Sequence, residues 1–200
     1  VREACHAPSN WRSKESLPAY LARHRVTGIE GVDTRALVAL LRTKGALRGV
    51  IVAGDVRPQS LVKRARSVPR IEDRDLVQEV SCKSPYEWTE GIRIVAPVAG
   101  QSEQLTLDSH PGDPYNVTVV DCGVKRNILR SLVSAGCRVR VVPSNTPASS
   151  LLASRPDGVL FSNGPGDPDR LPAIVEAVQG CIGKVPVFGI CLGHQVIGKA

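Results

Sequence analysis

Two rhythms of apolar residues divide the chain. In the first, Leu37, Leu40 and Leu41 recur at helical spacing, with Asp33 placed as an N-cap and Gly45 as a stop, so a helix is predicted between them. Leu47-Arg48-Gly49-Val50-Ile51-Val52-Ala53 then reads as a strand, and helical patterns follow near 58–67 and 73–80. Residues 81–116 are rich in Pro, Gly and Ser and run into His110-Pro111-Gly112-Asp113-Pro114, which reads as a linker centred on 111–115.

From 116 the rhythm is regular. Asn116–Asp121 (NVTVVD) is a β-branched run, Lys125–Ala135 is helical with a stop at Gly136, and Arg138–Val142 is a strand. Pro147–Ser154 reads as a short helix, Gly158–Ser162 as a strand, Pro172–Ile182 as a helix and Val185–Ile190 as a strand. Four strands alternate with helices, and the runs at 116–121 and 185–190 are apolar on both faces, which marks a parallel sheet covered on both sides. The expected fold is therefore α/β. It comprises an N-terminal domain over 1–110, a linker over 111–115 and, over 116–200, a mostly parallel sheet with helices on both faces. Ligands of such sheets bind beyond the carboxyl ends of the strands. That directs attention to Cys122-Gly123, Asn163–Pro168 and Cys191–Gly193.

Composition narrows the classes. With 42% hydrophobic and 22% charged residues, the 200-residue chain is that of an ordinary globular protein. No stretch approaches the ~18 uncharged apolar residues of a membrane span. The net charge of +7 is spread out, with 17 basic and 14 acidic groups in 1–114 and 9 and 5 in the remainder. The one dense basic stretch, Lys63-Arg64-Ala65-Arg66, reads as a solvated helix face, and aromatics at 4% supply no stacking platform for nucleic acid. The six cysteines form no CxxC pair, and His6, His24, His110 and His194 complete no zinc spacing. Reduced thiols in a cytoplasmic compartment, and no bound metal, are expected. The chain has no Met, opens on Val1-Arg2-Glu3 and stops at Gly198-Lys199-Ala200 without a capping residue, so a piece of a longer protein is expected.

The strongest chemical signal is Gly189-Ile190-Cys191-Leu192-Gly193-His194-Gln195, a Gly-x-nucleophile-x-Gly elbow between a strand and a helix. Cysteine at a helix N-terminus sits where free N–H groups and the helix dipole favour the thiolate, and the Leu192 N–H is placed to hold an oxyanion. A buried cysteine at a glycine turn is the competing reading. His194 lies only three residues on, which suits a supporting role better than that of general base; His110, His6 and His24 offer no convincing base. Ser162-Asn163-Gly164-Pro165-Gly166-Asp167-Pro168 is either a loop that lets backbone N–H groups approach a ligand or a plain turn. Lys125 and Arg126 are either anion contacts or exposed residues of a well-started helix.

These motifs, in this order, resemble the small, glutamine-hydrolysing chain of carbamoyl-phosphate synthase. Val187–Gln195 is similar to the nucleophile segment of class I glutamine amidotransferases in general. Gly31-Val32-Asp33-Thr34-Arg35-Ala36-Leu37, Lys44-Gly45-Ala46, Cys122–Leu129 and Leu160–Pro168 narrow the resemblance to the small-chain family, over essentially all 200 residues. The resemblance implies that Cys191 attacks the glutamine carboxamide. Backbone N–H groups of the elbow and of the Gly164/Gly166 loop would hold the oxyanion, and Gly164, Gly166, Leu192 and Gln195 would bind glutamine. It implies ammonia passing through a tunnel to a large chain that makes carbamoyl phosphate for pyrimidine and arginine synthesis. That large chain would use the ATP, Mg and bicarbonate, leaving this one without a cofactor, and would receive residues 1–110 as a docking domain. Cys122 departs from the pattern, where an aromatic such as Phe is expected. The family's catalytic His and Glu would lie beyond residue 200 and a glutamine-contacting serine before Val1, so the 200 residues alone are expected to be inactive. Two alternatives remain: another class I amidotransferase, against which Gly31–Leu37 argues, and a non-catalytic docking module that regulates a synthetase.

Overall fold

The structure is a computed structural model of the chain and describes residues 1–10, 13–95, 102–104 and 113–200. It divides into two compact units, Val1–Arg70 and Ile71–Ala200.

The first unit holds three helices, α1 (Leu17–Arg23), α2 (Thr34–Lys44) and α3 (Pro58–Ser67). The caps predicted for α2 are in place: the Asp33 carboxylate accepts from the Ala36 N–H at 2.9 Å, and Gly45 ends the helix at φ 76°. Such a cap satisfies a donor with no partner inside the helix, an effect of about 1 kcal/mol. Ser16 caps α1 in the same way. The strand expected over 47–53 does not form: the segment is extended but unpaired among the described residues, and Leu47 and Ile51 are exposed. β-branched composition makes a strand only where a partner strand supplies hydrogen bonds. No described residue of this unit is buried, and Leu37, Val38, Leu40 and Leu41 on α2 all lie at the surface.

The second unit begins with a 3₁₀ turn, Ile71–Asp73, and a short helix α4 (Leu76–Val80), whose Val77 is buried. The helix expected near 73–80 thus starts at Leu76, behind Asp75 as its N-cap. Next come β1 (Tyr86–Trp88), then β2 (Arg93–Val95) and β3 (Ser102–Gln104), which pair antiparallel with each other. The regular part follows as β4 (Asn116–Asp121), α5 (Arg126–Ser134), β5 (Arg138–Pro143), α6 (Ala148–Ala153), β6 (Gly158–Phe161), α7 (Pro172–Cys181), β7 (Val187–Gly189) and α8 (Leu192–Lys199).

The main sheet has the order β1-β5-β4-β6-β7, parallel throughout except for β1, which runs antiparallel against β5 with Glu87 opposite Arg140. A strand inside a Pro/Gly/Ser-rich stretch goes against the composition around it, but Tyr86 and Trp88 favour strands and β5 supplies the partner. That placement packs residues 71–95 with the second unit, although the sequence reading groups everything up to 110 with the N-terminal region. Of the linker expected over 111–115, residues 111 and 112 lie outside the described residues.

Two apolar layers hold the sheet. On one face Val120, Val142, Val159 and Phe161 pack beneath Leu151 of α6, Ile174 and Val178 of α7, and Leu192 and Val196 of α8. On the other, Val119, Val139, Val141 and Leu160 pack beneath Leu129 of α5. The mostly parallel α/β fold with helices on both faces is therefore present. The run at 185–190 is apolar on both faces, yet Phe188 is 65% exposed: among the described residues β7 is an edge strand and no helix covers its Phe188 side.

Phe161 is fully buried at the middle of the larger layer. Replacing it by Ala should cost ~3–5 kcal/mol of stability, the range for deleting a buried aromatic ring. The exposed Lys184→Ala should stay within about 0.5 kcal/mol of wild type. Urea unfolding of both variants measures the difference, and comparable losses would place the core elsewhere.

Candidate active site

β4 leads into α5 on one face of the sheet, while β6 leads into α7 on the other. The connections after these two neighbouring strands therefore leave on opposite faces, and the carboxyl ends between them are the usual ligand position in a doubly wound sheet. The elbow after β7 lies beside it, because β7 is the next strand along.

The elbow is built from close backbone contacts. The Ile190 N–H donates to the Phe161 carbonyl at 3.0 Å and the Gly193 N–H to the Ser162 carbonyl at 3.1 Å, so the start of α8 is fastened to the end of β6. A Cβ on Gly193 would overlap the Phe161 carbonyl, and one on Gly189 would stand 2.6 Å from the His194 nitrogen. Only glycine lets strand, turn and helix meet at this distance. Between them Cys191 adopts φ 54°, ψ −109°, a conformation that costs an L-residue about 1–3 kcal/mol, and its residue is exposed. The strain turns its thiol outward. Leu192 is the first residue of α8, so its N–H has no acceptor within the helix, while its side chain is buried in the core.

A second network fastens the connections after β4 and β6 to each other. Buried Asp121, at the end of β4, accepts from the Gly123 and Val124 N–H groups at 2.9 and 2.8 Å with one oxygen and from the Cys82 N–H at 2.9 Å with the other. Asn163 accepts from the Lys125 N–H at 2.9 Å and donates to the Gly123 carbonyl at 3.0 Å. Ser162, with no exposed surface, accepts from the Cys122 N–H at 2.9 Å and donates to the Asn163 carbonyl at 2.8 Å. Behind this loop a Cβ on Gly164 would overlap the Cys122 carbonyl, and Gly166 turns the chain at φ 96°. The Gly-rich segment is thus more than a turn: it is seated against the end of the neighbouring strand.

The structure therefore brings Cys191, Leu192, Gly164 and Gly166 to one edge of the sheet, with Gln195 exposed on the first turn and a half of α8. Its neighbour His194 is also exposed. Among the described residues no hydrogen bond joins a histidine to the Cys191 thiol, and His110 lies outside them. Lys125, the N-cap of α5, and Arg126, its first residue, are exposed; what joins the connection after β6 is the Lys125 N–H. Burial sets the other thiols apart. It pushes Cys122 up to about 12 and, together with the Asp121 carboxylate, Cys82 up to about 11, so both stay protonated at neutral pH. Burial therefore keeps Cys122, which replaces the expected aromatic, in a packing role. Sequence reasoning assigned no part to Asp121, Ser162 or Asn163. The available signal was polar residues closing β-branched runs, at positions where a strand end is buried.

Residues 118–200 match the family model described as glutamine amidotransferase class-I, and residues 1–51 match that of the carbamoyl-phosphate synthase small chain, CPSase domain. The carbamoyl phosphate synthase small chain of Syntrophotalea carbinolica is 50% identical over 201 residues, covering 100% of this chain and 51% of that protein. Those of Thermosynechococcus vestitus and Pseudomonas putida are each 45% identical, over 99% and 100% of this chain and 50% and 52% of theirs. The chain spans about half the length of the curated relatives it matches. Two matched segments in the same order, a resemblance that runs from end to end, and a cysteine elbow on a doubly wound sheet agree: the chain belongs to the carbamoyl-phosphate synthase small-chain family, and its second part matches the class I glutamine amidotransferase family.

Proposed function

We propose that this chain carries the nucleophile of the glutaminase component of a glutamine-dependent carbamoyl-phosphate synthase. The observation that carries the reading is Cys191, exposed in a strained conformation at the start of α8, between two glycines whose replacement the backbone does not admit.

In this mechanism the Cys191 sulfur attacks the carbon of the glutamine side-chain carboxamide. A C–S bond forms while the C=O π pair moves onto oxygen. The Leu192 N–H and N–H groups of the Gly164–Gly166 loop hold that oxyanion, donors fixed in advance by the close backbone contacts of the elbow and the loop. Gln195 completes the glutamine contacts. The tetrahedral adduct collapses with cleavage of its C–N bond, ammonia leaves with a proton from the general acid, and water hydrolyses the thioester to glutamate. The acid–base work falls to the histidine and glutamate that the family resemblance implies beyond residue 200. Ammonia passes to a large chain that uses ATP, Mg and bicarbonate to make carbamoyl phosphate for pyrimidines and arginine.

The exposed apolar side chains Leu37, Val38, Leu40 and Leu41 of the first unit favour docking on that large chain, since faces of this kind mark interaction surfaces. All six cysteines are free, which favours a reducing, cytoplasmic setting. No helix of the described residues is long and apolar enough to cross a membrane.

A glutamine-directed alkylating analogue should modify full-length protein at Cys191, and peptide mapping should find Cys122 untouched at pH 8. Modification elsewhere, or none, removes the nucleophile assignment. Gly193→Ala drives a methyl group into the Phe161 carbonyl and should lower glutamine hydrolysis by at least ~10²-fold, the size of effect seen when an oxyanion donor is lost. An unchanged rate would show that the elbow is not needed. The 200 residues alone should hydrolyse glutamine ~10³-fold or more slowly than the full-length protein, as expected for a site without its base. Rates within tenfold of each other, in a steady-state ammonia assay, would show that a residue of this stretch acts as base.

A further inference from the structure

Ser162 is the residue at which the three strand-end connections meet. Its side chain accepts from the Cys122 N–H at 2.9 Å and so holds the connection after β4. The same hydroxyl donates to the Asn163 carbonyl at 2.8 Å, the residue immediately before Gly164. Its own carbonyl accepts from the Gly193 N–H at 3.1 Å and so holds the start of α8 two residues beyond Cys191. Its N–H donates to the Val120 carbonyl at 3.2 Å, which anchors the residue to β4. A serine hydroxyl is both donor and acceptor, and here, with no exposed surface, both capacities are in use and water cannot replace either.

We infer that Ser162 is a positioning residue for glutamine hydrolysis: its hydroxyl sets the placement of the Gly164–Gly166 loop relative to the Cys191 elbow. The inference rests on the reading of Cys191 as nucleophile and of that loop as part of the oxyanion site. The physical ground is that the hydroxyl is the one side-chain group bonded to both the connection after β4 and the Asn163 carbonyl. Alanine in its place leaves the Cys122 N–H without its acceptor and the Asn163 carbonyl without its donor. The peptide leading into Gly164 then loses that anchor and keeps those of the Asn163 side chain to Lys125 and Gly123, while the backbone bond from Gly193 to residue 162 stays. The loop shifts and the nucleophile does not. Oxyanion donors act only when fixed at the position where charge develops, so a small shift lowers the rate of the chemical step more than it weakens binding.

The test compares wild type, Ser162→Ala and Ser162→Thr in the full-length protein, with two readouts. One is steady-state glutamine hydrolysis; the other is the rate of Cys191 alkylation by iodoacetamide, which needs the exposed thiol but no oxyanion site. The inference expects S162A to lower kcat at least tenfold, with KM and the alkylation rate within threefold of wild type. It expects S162T, which keeps the hydroxyl, to recover kcat to within threefold. A kcat for S162A within threefold of wild type overturns it. So does a parallel fall in kcat and alkylation, which would mark a general loosening of the elbow. Should S162A show no cooperative unfolding transition, Ser162→Cys, of similar size but a weak donor, decides by the same kcat criterion. A wild-type protein that neither hydrolyses glutamine nor is alkylated at Cys191 overturns the underlying reading and the inference with it. Normal wild-type chemistry with an unaffected S162A overturns the inference alone.

Discussion

The carboxyl edge of the sheet depends on backbone meeting backbone where a side chain would otherwise stand. Gly193 lies against the Phe161 carbonyl and Gly164 against the Cys122 carbonyl, both too close for a Cβ. Each contact brings a connection within reach of the end of a neighbouring strand. The hydrogen bonds from Ile190 to Phe161 and from Gly193 to Ser162 follow from that closeness. Take the closeness away and the elbow becomes an ordinary strand-to-helix turn. The cysteine would then lose the outward position that makes it chemically useful.

Above these contacts lies a layer of polar groups in which, among the described residues, no buried side-chain nitrogen or oxygen lacks a hydrogen-bond partner. Asp121 is the clearest case: a buried carboxylate is tolerable only because three N–H groups face it. One of them, from Cys82, belongs to the segment that leads into the antiparallel edge strand β1. The carboxylate thereby ties the periphery of the second unit to the carboxyl end of β4. Rigidity at the site is thus inherited from residues that play no direct chemical part.

The legibility of the sequence follows the range of the forces involved. Elements from 116 onward are written locally, in β-branched runs, capping residues and glycine stops, and the structure has them at nearly the expected bounds. The elbow was legible for the same reason: its glycines and cysteine are neighbours in sequence, and the constraint they answer is local. Strand 47–53 failed because Val50, Ile51 and Val52 carry the propensity but find no partner among the described residues. β1 was missed for the converse reason, since Tyr86–Trp88 become a strand through Val139 and Val141 far along the chain. Ser162 stood in plain view within its motif, yet its bonds reach 40 residues back to Cys122. Nothing in the spacing of a single sequence announces such a bond.

The positive φ of Cys191 has a consequence for how the family can drift. With Cys191 as the proposed nucleophile, selection for glutamine hydrolysis holds a side chain in a backbone conformation that opposes folding. Once a descendant takes its ammonia from solution, that pressure ends, and glycine becomes the stabilising choice at the same position because it adopts this conformation without penalty. Loss of chemistry and gain of stability then point the same way. A relative that has kept both flanking glycines but carries glycine in place of the cysteine would record that history in one residue.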